Sequence, residues 1–168
     1  MTSRIFKIIS SGGLKNAVNS EIVDIIKNEN DFNELIAYLD HDERHVRMHA
    51  VDGVEKLTIV NPGWLKPHKK FLMDMMEKYD EKEFRWHIAQ IISRLKFNEA
   101  EAGKVWDLLS SWLNNKKESR IVRVFSLQAL YDISKSYPEL RDDLVQSASE
   151  AKQENIPSLN SRIRKLGL

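Results

Sequence analysis

The chain has 168 residues, 42% of them hydrophobic and 30% charged, with a formal net charge of +1. That composition gives a single domain room for a real core, and the near-neutral balance speaks against a dedicated nucleic-acid clamp while leaving a local basic patch open. The absence of cysteine eliminates disulfides, cysteine-ligated zinc and thiol nucleophiles, and six Gly with four Pro are too few for a turn-dense β protein.

The opening MTSRIFKIISSGGLKN carries an apolar run broken by Lys7, too short for a signal peptide's core. No later stretch approaches the roughly 18 apolar residues of a membrane span, so a soluble, cytoplasmic protein without a membrane partner is expected. Residues 14–29 then read as an N-terminal capping helix, led by LKNAVNSEIVDIIK. Three helix pairs follow, over 31–59, 62–97 and 99–136. Their first helices carry the broad apolar faces of FNELIAYL, WLKPHKKFLMDMMEKY and EAEAGKVWDLLSSWL. Pro138 and Pro157 each open a helix of a C-terminal pair over 138–168, where a missing N–H loses nothing at the first helical position. The whole, 1–168, reads as one all-α domain.

The second helices repeat at a fixed interval. DERHVRMHAVDGVEKL at 42–57 returns 38 residues later as DEKEFRWHIAQIISRL and again as ESRIVRVFSLQALYDI. Arg47, Arg85 and Arg123 fall in one column, preceded by Val46, Phe84 and Val122. Val54, Ile92 and Leu130 fall in another, and Leu57, Leu95 and Ile133 in a third. At about 100° per residue these columns form one apolar stripe, so three helices share one buried face. One helix pair cannot bury such a stripe alone, whereas stacked pairs bury a continuous one. Antiparallel pairs at this period predict an α-α superhelix, or solenoid, of about three repeats plus capping helices.

DHDERHVRMHAVDGV, with its acidic turn, Val-Arg pair and Ala-containing second helix, resembles the HEAT repeat family. YDEKEFRWHIAQII has Phe-Arg in place of Val-Arg, and NKKESRIVRVFSLQAL has Glu118 where the others have Asp42 and Asp80. The resemblance covers about two thirds of the chain. It implies a structural ladder in which Arg47, Arg85 and Arg123 pair between units. From the residues alone, an arginine about 100° from the buried column can lay its stem over apolar surface and meet Asp42, Asp80 or Glu118 near the helix starts. Three equivalent copies fit packing better than a single active site.

In solenoids the second helices line the concave face, the usual binding surface. Positions about 200° from Val46 hold Met48, Trp86 and Val124, an apolar ladder expected on that face. Arg44, Lys82 and Arg120 border it four residues earlier, and Asp52, Gln90 and Gln128 four later, with Tyr131 extending it. Aromatic and methionine anchors beside long cations are the composition of interaction hot spots. The competing reading covers Trp86 with a neighbouring helix as ordinary core.

His45 and His49 have a spacing that lets two imidazoles reach one metal, with His41 four residues earlier. Without HEXXH or cysteine, helix histidines in solvent are the better reading, and His87 reads as a surface or boundary residue. Trp106 and Trp112 read as packing residues. No metal, cofactor or catalytic residue is expected: Ser11-Gly12-Gly13 is too short for a phosphate loop, and GXSXG is absent. The leading expectation is a non-catalytic interaction or scaffold module that binds an unidentified protein or peptide. The alternative is nucleic-acid binding of the kind seen in HEAT-like alkylpurine DNA glycosylases, with Asp52 standing for their acid.

Overall fold

Every regular element among the described residues, 3–13 and 15–168, is helical in the computed structural model of the chain, with the backbone alone described at 15–17. The chain divides into two units, Met1–Lys78 and Tyr79–Leu168. The division falls between the two helices expected to form the 62–97 pair.

The first unit holds α1 (Arg4–Ile9), α2 (Lys15–Ile25), α3 (Glu29–Ala37) with a tight 3-10 turn at Tyr38–Asp40, α4 (Arg44–Val60), a 3-10 segment at Pro62–His68, and α5 (Lys69–Lys78). Sequence reading missed α1, although its signals are present. The Ser3 hydroxyl accepts the Phe6 N–H at 3.0 Å as an N-cap, and Ile5, Ile8 and Ile9 are buried at helical spacing. The helix expected over 14–29 stops at Ile25, and Leu14 lies outside the described residues. Asn28 instead caps the next helix, its side-chain oxygen accepting the Asp31 N–H at 3.0 Å.

The single helix expected from Trp64 to Tyr79 is split. Pro67 has no N–H to donate and holds the residue before it away from α geometry, so the chain runs as 3-10 turns until Lys69. Helix α4 is the hub of this unit, with α1, α2 and α3 packed on it. Gly53 permits that approach: a Cβ there would lie 2.9 Å from Ile22 Cγ2 and 3.4 Å from Leu35 Cδ2.

The second unit holds α6 (Lys82–Ile92), α7 (Glu99–Asn114), α8 (Arg120–Ser134), a 3-10 turn at Pro138–Leu140, α9 (Arg141–Gln153) and α10 (Pro157–Leu166). Helix α7 opens on a capping box, with Asn98 and Glu101 each accepting the other's backbone N–H at 2.9 Å. Helix α10 closes on Gly167, whose φ of 68° gives the left-handed C-cap that favours glycine. Here α8 is the hub, packed by α6, α7, α9 and α10. Trp112 and Trp106 are buried on α7; the indole of Trp106 donates to Asp143 at 2.6 Å, and the Arg85 guanidinium sits 5.2 Å from the Trp112 ring. Helix α6 ends before Leu95, which is only half-buried, so the third apolar column is interrupted there.

The second-helix pattern continues once more than the sequence revealed. Val46 and Arg47, Phe84 and Arg85, and Val122 and Arg123 are the third and fourth residues of α4, α6 and α8. Leu159 and Asn160 hold the same places in α10. The interval there is 37 residues and the arginine is replaced, which hid the fourth member.

Candidate functional site

The arginine column is built into seams by its place in the first turn of each second helix. Arg123 is 1% exposed. Its Nε donates to the Leu113 carbonyl at 2.7 Å, while Nη1 and Nη2 form a two-pronged pair with Glu154 at 2.9 and 2.7 Å. The pair ties α8 to the turn ahead of α10. The hydrogen bond from Arg123 holds the Glu154 carboxyl below its ordinary value, overcoming the opposing effect of burial. Arg85 repeats the motif one unit earlier, meeting Glu118 at 2.5 Å ahead of α8. A carboxylate in the turn before the next second helix is thus the partner in both cases.

Arg47 differs. It is buried, and its Nη1 donates to the backbone carbonyls of His41 and Asp42 at 2.8 and 2.9 Å, so Asp42 serves through its carbonyl. Asp42 and Asp80 are themselves exposed. Glu154 was missed in the sequence because it lies in a turn with no acidic pattern shared by the three aligned segments.

The apolar ladder expected on the second-helix face is corrected at two of its three rungs. Met48 is 7% and Val124 8% exposed, both buried, whereas Trp86 is half-exposed. The reason lies in the hubs. Helices α4 and α8 are enclosed on several sides, and α4 buries Val46 through Glu55 without a break. Along its middle turns α4 has no solvent face, and α8 leaves only Phe125, Gln128, Tyr131 and Asp132 half-exposed, so position relative to the apolar stripe does not set exposure on either helix.

The accessible rung, Trp86, belongs to the second unit. Trp86 stacks on His87, with centroids 3.5 Å apart, and on Phe125 at 5.3 Å. Beyond them lies a cleft of about 250 Å³ lined by Gln90, Ser93, Arg94, Phe125, Gln128, Ala129 and Asp132. Arg162 of α10 touches two of these residues, its guanidinium 5.4 Å from the Phe125 ring and donating to Gln128 Oε1 at 2.6 Å. Gln90 donates to the Trp86 carbonyl at 3.2 Å. Asp132 accepts from Gln128 at 3.0 Å and from Lys135 at 2.7 Å, and that hydrogen bond holds the Lys135 ammonium above the ordinary lysine value. Tyr131 is half-exposed, with Lys135 and Arg141 4.7 and 5.2 Å from its ring. Lys82 and Arg120 are exposed in the first turns of α6 and α8, and Arg44 in that of α4.

The histidines are corrected as well. His49 is buried, and its Nδ1 lies 2.8 Å from the Ile9 carbonyl, tying α4 to α1. That nitrogen is therefore engaged, while exposed His45 stands 3.5 Å from Glu43. His41 Nδ1 accepts the Glu43 N–H at 3.1 Å. His87 is fully buried and not at the surface. Asp52, offered as a catalytic acid, is buried and paired with Lys56 at 2.9 Å. No helix among the described residues is long and apolar enough to cross a membrane.

No curated protein and no solved structure is a significant match to this chain. The family model of the HEAT repeat domain matches residues 10–166, spanning α2 through α10 and both arginine seams of the second unit. The chain belongs to the HEAT repeat family.

Proposed function

We propose that this chain is an interaction module that takes a peptide segment of a partner along the second helices of residues 79–168. The observation that carries the reading is the half-exposed Trp86–Phe125 stack opening into the cleft between Gln90, Arg94 and Gln128. An aromatic anchor within a polar, charged rim is the usual makeup of an interaction hot spot.

Selection of a displayed library of random 12-residue peptides on the intact chain tests the reading. Binders are expected to enrich, and Trp86→Ala is expected to lose them. Removing one half-exposed ring from an aromatic stack costs about 1–2 kcal/mol, so the variant should stay folded with its melting temperature lowered by only several degrees. Binders that hold on equally to Trp86→Ala would place the interaction elsewhere.

A further inference from the structure

Resting on that interaction reading, we infer that the segment accepted on this face is acidic, with an apolar side chain set over Phe125 and Trp86. The inference comes from charge and hydrogen-bonding capacity around one cleft. Lys82, Trp86, Gln90 and Arg94 follow one another at four-residue spacing along α6 and the turn after it, and Arg120, Val124, Gln128 and Asp132 do so along α8. These rows bring Arg94 into the cleft wall and place the exposed cations of Lys82 and Arg120 at the helix starts. Arg162 adds a fourth positive group beside Phe125.

The negative groups nearby are largely answered. Asp132 is held by Lys135 and Gln128, and Glu118, just before Arg120, is engaged by Arg85 at 2.5 Å. Glu83 stands 3.9 Å from Lys82. Arg162 spends a hydrogen bond on an amide oxygen, which leaves its charge in place beside Phe125, and Arg120 stands exposed at the start of α8, so a basic segment would meet like charge here. Gln90 uses its amide N–H on the Trp86 carbonyl and keeps its side-chain oxygen as an acceptor for a peptide N–H.

A nucleic-acid strand fits less well. Phosphodiester binding draws on many cations at once, whereas here the Asp132 carboxylate lines the same cleft and the whole chain carries only +1. Rim charges of this kind act mainly on association rate and specificity, so their mark is salt dependence and partner choice.

The peptide selection, read by composition, tests the inference. Enriched 12-mers are expected to be net negative with at least one Leu, Phe or Trp. A synthetic peptide from that set should bind the intact chain in fluorescence anisotropy, and Arg94→Glu should weaken it at least tenfold. Arg120→Glu, at an exposed site where the fold is not at stake, should weaken it several-fold, and raising the salt from 50 to 300 mM should weaken binding to wild type. Enrichment of basic or uncharged peptides would overturn the acidic preference while leaving the interaction reading standing. Enrichment of nothing at any composition would sink the interaction reading itself. A short DNA duplex that binds wild type where no peptide does would overturn both in favour of a nucleic-acid partner.

Discussion

Arg123 shows how a charge can sit inside a repeat protein and still stabilise it. A guanidinium at 1% exposure is costly unless its donors are satisfied, and here three of its nitrogens find carbonyl or carboxylate oxygens within 2.9 Å. Exchanging the carboxylate for an amide leaves the buried cation without its counter-charge and with one acceptor oxygen fewer, so Glu154→Gln should lower stability by about 2–3 kcal/mol in urea denaturation at neutral pH. The same pair sets an acid limit. Because the folded carboxyl lies below its ordinary value of 4.5, its stabilising contribution is complete above that value and is lost as the pH falls through the folded one. Wild type should therefore lose stability below about pH 4.5 more steeply than Glu154→Gln does. Equal slopes would assign acid sensitivity to other carboxyls. In α10 the corresponding residue is Asn160, whose side-chain oxygen is buried and has no hydrogen-bond partner.

At the scale of the element, α4 depends on the absence of a side chain at Gly53. Alanine normally favours a helix over glycine by about 1 kcal/mol. Here its methyl would lie 2.9 Å from the Cγ2 of Ile22, a β-branched group that cannot swing aside cheaply. Gly53→Ala should thus destabilise the protein by about 1–2 kcal/mol in thermal or urea unfolding, the sign expected of overpacking. A stabilised variant would show that α2 can retreat. The repeat itself was readable because periodic apolar columns survive in any context, and α4, α6 and α8 lie where 42–57, 80–95 and 118–133 indicated. Element ends were less legible. Pro67 interrupts a strongly apolar pattern, α1 is short enough to be taken for a failed leader, and Leu95 continues a column past the end of its helix. The surface was the least legible part. Met48 and Val124 occupy the same column as Trp86, yet only Trp86 reaches solvent appreciably, because solvent exposure depends on which neighbours enclose each helix and not on the helix's own periodicity.

At the scale of the whole chain, membership of the HEAT repeat family accounts for helix pairs that return at a nearly constant interval. Such units stabilise one another through nearest-neighbour seams. The Arg85–Glu118 and Arg123–Glu154 pairs are two of those seams, and their carboxylates sit in turns that the apolar pattern does not constrain. On the second helices of 79–168, aromatic, amide and cationic groups border one cleft. Hydrogen exchange read by mass spectrometry, with and without a selected peptide, tests most directly whether function resides there. Slowed exchange is predicted over 82–94 and 120–135, with the first helices α7 and α9 unchanged. Slowing confined to 4–78, or to α7 and α9, would contradict the account.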